Sequence, residues 1–258
     1  MPNWVKNRVK IKGDFDKIKQ LVYSIRDNEE NEFDFDKIVP RPKTMSVVSG
    51  GGIDKLAVQC AFNNKTQKEK EVIEEKLKSI EVCFYQNYYE KYLKTKHTKE
   101  EIEEERKDFE ERLSKQGEND FDYVDYKSLG VSTLEELGNI YINNMLQYGC
   151  DTWYDWCCKN WGTKWNSCNA CLVDENTYEF DTAWGTPIEV LVALSKQFPN
   201  TTIEVDYADE DIGANCGTYA IKNGKIIKDI DRSGDIDFCL KLQGYTEEDK
   251  KYFYEDNE

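Results

Sequence analysis

Residues 170–230 read ACLVDENTYEFDTAWGTPIEVLVALSKQFPNTTIEVDYADEDIGANCGTYAIKNGKIIKDI, and the order of apolar and breaker residues in this stretch decides the fold. Ala170–Val173 and Thr177–Thr182 have strand character on either side of a turn at Asp174-Glu175-Asn176. Pro187 stands where a helix starts, Ile188, Leu191, Val192 and Leu194 give that helix an apolar face, and Pro199-Asn200 ends it. Thr201–Tyr207 returns to strand. Thr218–Ile221 and Lys225–Ile230 are joined by Asn223-Gly224, the pair that a two-residue hairpin prefers because both positions take positive φ. The stretch therefore reads β-β-α-β-β-β.

Toward the N-terminus, residues 4–12 alternate, with Val5, Val9 and Ile11 set between lysines and an arginine, which predicts a strand. Gly13-Asp14 marks a turn and a helix cap, and from Phe15 onward Ile18, Leu21, Val22 and Ile25 follow helical spacing. Phe33, Phe35 and Ile38 are expected as a second short strand, stopped by Pro40 and Pro42, and residues 44–54, with Gly50, Gly51 and Gly52, as a flexible loop. From Gln67 to Lys115 Glu and Lys dominate. Val72, Ile73, Leu77, Ile80, Phe84 and Tyr88, then Ile102, Phe109 and Leu113, predict two helices broken near His97-Thr98, where Thr98 with Glu101 makes a capping box. Residues 133–148 form a further helix with Leu134, Leu137, Ile140, Tyr141, Met145 and Leu146 as its buried stripe. The expected architecture is α+β, with helices on one face of an antiparallel sheet. Residues 1–65 and 131–244 make that domain, 66–130 an inserted helical arm, and 245–258 an acidic C-terminal tail.

Cys150–Trp184 holds five of the six tryptophans and five of the nine cysteines. Trp153 and Trp156 share one face if the chain is helical there, Gly162 permits a turn, and Lys164 beside Trp161 and Trp165 offers a cation–π contact. The segment is expected to build the core. The alternative is an aromatic ligand site made by Trp161, Lys164, Trp165 and Trp184.

Four separated stretches resemble one family: MPNW at the start, FDFDKIVPRPK, WYDWCCKNWGTKWN, and FDTAWGTPIEVLVALSKQFP, with Cys216-Gly217 as a weaker fifth. They are similar to the YubB/Api-type ferredoxin-like proteins encoded by phages and plasmids, over roughly half of the chain at both ends. The resemblance implies a ferredoxin-like sheet and a mobile-element origin. It implies no activity, no catalytic residues and no iron–sulfur cluster.

Charge is the strongest bulk property: 35 Lys+Arg against 51 Asp+Glu give a net of −16. Residues 1–65 carry 12 basic and 9 acidic side chains, whereas residues 172–258 carry 8 basic and 20 acidic. An acidic surface repels DNA, RNA and anionic lipid, so direct nucleic-acid binding is not expected, and a basic partner surface is the complementary target. No run reaches the ~18 apolar residues of a membrane span and the start lacks a signal peptide, which predicts a protein of the bacterial host cytosol with its cysteines as thiols.

Metal chemistry is not expected. Cys150, Cys157, Cys158, Cys168 and Cys171 include one C-x-x-C, but Cys157-Cys158 is poor zinc-knuckle geometry and the only histidine, His97, lies in the charged arm. Residues 229–237 match the first nine places of a calcium loop, yet its twelfth place, where a closing Glu belongs, is Leu240. Neither a nucleophile–histidine set nor a phosphate-cradling glycine loop is present, so no enzyme activity and no cofactor are expected. The function expected is that of an acidic interaction protein. It binds and inhibits a host nucleic-acid-handling defence protein of the anti-CRISPR or anti-restriction type, through Glu204, Asp206, Asp209, Glu210, Asp211, Asp229, Asp231, Asp235 and Asp237. The alternative is a nucleotide or single-strand binder that stacks its ligand on the tryptophan cluster beside Lys6, Arg8, Lys10 and Lys12.

Overall fold

The alternation in residues 4–12 does more than make a strand; it makes the strand on which a sheet is built. The computed structural model describes residues 2–26, 29–50, 52–80, 86, 88–94, 96–114, 124–246 and 249–250. It divides into two compact units, Met1–Pro40 with Cys157–Glu258, and Arg41–Trp156.

In the first unit β1 (Trp4–Lys12) leads into the helix Phe15–Val22, followed by a small hairpin of β2 (Ser24–Arg26) and β3 (Glu29–Asn31). β4 (Cys168–Asp174) and β5 (Thr177–Ala183) precede the helix Ile188–Gln197. β6 (Thr202–Asp209), β7 (Cys216–Lys222) and β8 (Lys225–Asp231) follow, and the helix Ile236–Gln243 comes after them. The main sheet has the order β4-β5-β1-β6-β7-β8, with every neighbouring pair antiparallel. The β7–β8 turn has positive φ at both Asn223 and Gly224, as the hairpin signal requires.

Successive side chains of a strand point to opposite faces. On one face Val5, Val9 and Ile11 are buried together with Tyr178, Phe180, Ile203 and Val205. Asn7 is the polar member of this row. Its amide donates to Val5 O at 2.9 Å and to Thr182 Oγ1 at 2.8 Å, so a slip of the β1–β5 register would strand a buried amide.

Residues 33–38 correct the expectation of a second strand: Phe35–Ile38 is one helical turn. Its ends are satisfied by groups far along the chain rather than by a ladder. Asn166 accepts from Phe35 N at 2.8 Å and donates to Asp34 Oδ1 at 2.6 Å. Phe33 stacks on Phe180 at 5.0 Å between ring centres, and Phe35 meets Trp161 edge-on at 5.8 Å. An aromatic core therefore sits over β5, where stacked and edge-on rings add to plain burial.

The second unit is helical, with Ile53–Asn63, Gln67–Ile80, Lys99–Ser114 and Leu134–Tyr148, and a π-helical turn at Tyr89–Leu93. The expected loop at 44–54 contains the 3-10 turn Lys43–Met45 and ends where the helix Ile53–Asn63 begins. The expected capping box of Thr98 with Glu101 forms, and Thr133 with Glu136 makes a second, unexpected one; in each the two residues exchange side-chain and backbone hydrogen bonds. The expected stripe of Leu134–Tyr148 packs into a core with Ala57, Ala61, Tyr92 and Phe109. The segment expected as an insertion, 66–130, lies within this unit; Phe84, Lys115 and the tail residues 247–248 and 251–258 lie outside the described residues.

The helices Ile53–Asn63 and Leu134–Tyr148 approach backbone to side at Gly138, where an added Cβ would lie 1.9 Å from Ala57 O. Gly→Ala in an open helix gains about 1 kcal/mol of propensity, but forced overpacking costs about 1–3 kcal/mol. We expect Gly138→Ala to lower the melting temperature of the chain. Gly185→Ala, where an added Cβ makes only an ordinary 3.4 Å contact with Gly162 O, serves as a comparison in the same thermal denaturation experiment.

Candidate functional site

The opposite face of β1 carries Trp4, Lys6, Arg8, Lys10 and Lys12, and the antiparallel register sets acids across from them. Lys6 Nζ lies 3.1 Å from Asp181, Arg8 Nη2 2.5 Å from Glu179, and Lys12 Nζ 2.6 Å from Glu204. Asp206 accepts from Thr218 Oγ1 at 2.6 Å, and that hydroxyl in turn accepts from Arg232 Nε at 3.2 Å. Half-exposed pairs of this kind contribute about 0–1 kcal/mol each, so their consequence is charge balance more than stability. Of these residues Arg8, Glu179, Glu204, Asp206, Thr218 and Arg232 line a concavity of about 640 Å³. Lys10 and Lys228, both exposed and both lining it, form no ion pair among the described residues. At one end of this face the helix Ile236–Gln243 packs Cys239 and Leu242 against Ala208 and Cys216.

Beside Trp4 the chain builds an aromatic corner. Gly162, at φ +77°, follows the helix Trp153–Trp161, and a Cβ there would lie 2.1 Å from Glu189 Oε2, so the turn needs glycine. Thr163 Oγ1 donates to Ala183 O at 2.8 Å and fixes the loop against β5. Lys164 Nζ then lies 4.4 Å from the centre of the Trp165 ring and 5.2 Å from that of Trp184, while Trp165 is 5.8 Å from Trp4. Trp184 has φ +69°, a left-handed conformation that costs a side-chain-bearing residue about 1–2 kcal/mol. It is held there by donating N–H to Asn3 O at 2.9 Å and by accepting from Asn215 Nδ2 at 3.1 Å, and it stays 44% exposed. The expected set of four thus separates. Lys164, Trp165 and Trp184 come together, whereas Trp161 is buried, donates Nε1–H to Val39 O at 2.9 Å and belongs to the core.

The nine expected acidic residues also separate. Asp209 is buried, accepting from Asn3, Asn215 and Asp211 N at 3.3, 3.1 and 2.9 Å. Asp231 accepts from Ser233 N and Oγ at 2.8 and 2.6 Å, which holds its carboxyl below the usual range. Asp235 caps the last helix by accepting from Phe238 N at 3.1 Å, and exposed Asp237 lies 3.5 Å from Lys250. Residues 229–237 are therefore a turn and a cap, and among the described residues no group of three or more His, Cys, Asp or Glu is placed to hold a metal ion. Glu204 and Asp206 are engaged on the sheet. Glu210, Asp211 and Asp229 remain exposed and outside every ion pair among the described residues.

The Arg41–Trp156 unit contains a cluster that sequence reading missed. Asp54 and Asp151 are both 1% exposed. Lys91 Nζ lies 2.7 Å from Asp151 and 3.7 Å from Asp54, and Tyr92 donates its hydroxyl to Asp151. Burial raises the Tyr92 hydroxyl far above its ordinary value, and the Asp151 charge adds to that. Burial also opposes ionisation of Asp151, but the Lys91 charge and hydrogen bond outweigh it and hold the carboxyl below its ordinary value. Asp155 is pushed up to about 6 by loss of hydration and by sharing a hydrogen bond with Asp151. These residues lie in three different segments of the sequence, and the only local signal was a lysine next to a tyrosine.

Asp155 prefers its protonated form in the folded chain, so its contribution to stability is complete below its unfolded value and is lost as pH rises through about 6. We expect Asp155→Asn to melt at a higher temperature than the parent at pH 7–8, with the difference closing between about pH 6 and pH 4. Thermal melts across that range check this.

The first unit has the antiparallel sheet and packed helices of a ferredoxin-like domain. Residues 160–255 match the family model described as the ferredoxin-like domain in Api92-like protein. No curated protein matches the chain. Among solved structures, the crystal structure of a protein Api92 from Yersinia pseudotuberculosis is similar at 14% identity and a TM-score of 0.41, over 89% of this chain and 97% of that one. Among the described residues no helix is long and apolar enough to cross a membrane.

Proposed function

We propose that this chain is a non-enzymatic interaction protein, encoded by a phage or other mobile element, that binds the basic surface of a host nucleic-acid-handling defence protein and blocks it in the bacterial cytosol. One observation carries this reading. Three cations of the sheet face, Lys6, Arg8 and Lys12, are each already paired with an acid and two lysines, Lys10 and Lys228, are not, while Glu210, Asp211 and Asp229 stand exposed outside every ion pair among the described residues. Part of the negative charge of residues 172–258 is thus presented outward rather than consumed within the fold. Such a field steers a basic partner in and keeps polyanions away. The stacking alternative has less support, because Trp161 is core and three of the four β1 cations that would hold a phosphate backbone, Lys6, Arg8 and Lys12, are paired with acids.

The test is capture from host lysate on the immobilised chain, at low and high ionic strength. A nucleic-acid-binding protein is expected to be retained at about 0.05 M salt and released near 1 M, where the Debye length falls to about 3 Å. Glu210→Lys with Asp229→Lys is expected to abolish the retention. Capture of no such protein at low salt, or capture indifferent to these reversals, overturns the reading.

A further inference from the structure

We propose that the corner formed by Trp184, Trp165 and Trp4 is an arginine-binding site, and that Lys164 occupies it as an internal stand-in until a partner's guanidinium displaces it. This rests on the reading that the partner surface is basic and deepens it by naming the side chain and its seat.

The corner already holds a cation. Lys164 Nζ lies within 4.4 Å of one indole centre and 5.2 Å of another, the range in which the negative face of the ring attracts positive charge. The backbone keeps this arrangement accessible, because the left-handed conformation of Trp184 and its hydrogen bonds to Asn3 and Asn215 hold a large apolar ring 44% in solvent. The same polar frame brings acids to the corner. Asn215 bridges Trp184 O and the buried Asp209 carboxylate, and Glu210 N donates to Trp4 O at 2.8 Å, so exposed Glu210 and Asp211 follow directly from residues that touch the tryptophans.

Charge then decides the ligand class. The segments that meet at the corner carry one lysine, Lys164, against exposed Glu210 and Asp211 and buried Asp209, a balance that disfavours a phosphate and favours a cation. A guanidinium fits better than an ammonium, since its plane stacks on an indole while its edge N–H groups reach carboxylate oxygens. Lys164 sits on a long flexible stem, whereas Gly162 and Thr163 are held by the turn geometry and by the hydrogen bond to Ala183 O.

The experiment is calorimetric titration of the full chain with an acetylated Gly-Arg-Gly-Arg-Gly peptide, its citrulline and lysine counterparts, and AMP. The arginine peptide is expected to bind, the lysine peptide more weakly, and the citrulline peptide and AMP not at all. Trp184→Ala should weaken arginine binding about tenfold, while Trp184→Phe, which keeps an aromatic face, should weaken it less. Lys164→Ala should strengthen binding severalfold by removing the internal competitor, with Lys228→Ala, an equal change of charge elsewhere, leaving it within about twofold. Circular dichroism of each variant confirms its fold. Weaker arginine binding by Lys164→Ala, equal binding of the citrulline peptide, or AMP binding that Lys164→Ala abolishes each overturns the proposal, the last in favour of nucleotide stacking. Lysate capture unaffected by Trp184→Ala would sink the arginine site and leave the acidic-partner reading standing. Peptide binding with no lysate capture would do the reverse.

Discussion

The antiparallel pairing of β1 with β5 on one side and β6 on the other is the constraint on which the sheet unit depends. Because that register is fixed, every second residue of Trp4–Lys12 enters the core, and on the other row Lys6, Arg8 and Lys12 meet acids from the neighbouring strands. The buried row supplies the free energy, at about 25 cal/mol per Å² of apolar surface removed from water. The solvent row contributes little energy but sets the charge of the exposed face. A one-residue slip would exchange the rows, burying Lys6, Arg8 and Lys10 and exposing Val5, Val9 and Ile11. The buried amide of Asn7, bonded to Thr182, makes such a slip costlier still.

The aromatic corner is an outgrowth of the same pairing. Trp4 belongs to the solvent row of β1, and the β5 strand ends at Ala183 so that Trp184 follows at once in a left-handed turn. Asp209 ends β6 and ties Asn3, Asn215 and Asp211 into one hydrogen-bonded frame. A carboxylate that sequence reading had assigned to a partner therefore works inside the protein. It is the fixed point from which Glu210 and Asp211 project. Burial decides between the two roles, because a desolvated carboxylate is tolerated only with several donors around it.

The helical unit shows a different balance. Its core is built by the stripe of Leu134–Tyr148 against Ile53–Asn63, brought close by Gly138. Beside that core, two almost fully buried aspartates share one lysine. The attraction between such groups offsets a desolvation cost of several kcal/mol per ion only when hydrogen bonds supplement it, and Tyr92 provides one.

By itself the sequence determined what depends on near neighbours: the alternation of β1, the Asn223-Gly224 hairpin, the helix after Pro187, the Thr98–Glu101 capping box and the antiparallel α+β class. These follow from spacing and backbone preference, which act over a few residues. Residues 33–38 escaped that reading because Phe33 and Phe35 keep strand spacing while Phe35 and Ile38 keep helical spacing, so the local pattern points both ways. The deciding partners, Asn166, Phe180 and Trp161, lie more than a hundred residues away. The charge and the crowding of tryptophans were equally plain, but their roles were not. Only the tertiary structure decided that Trp161 is core and Trp184 is surface, that Asp209 is buried and Glu210 free, and that Lys91 stands between Asp54 and Asp151. The physical reason is the same in each case: solvent exposure and pairing are properties of groups brought together across the chain, and composition fixes how many such groups there are without fixing which of them meet.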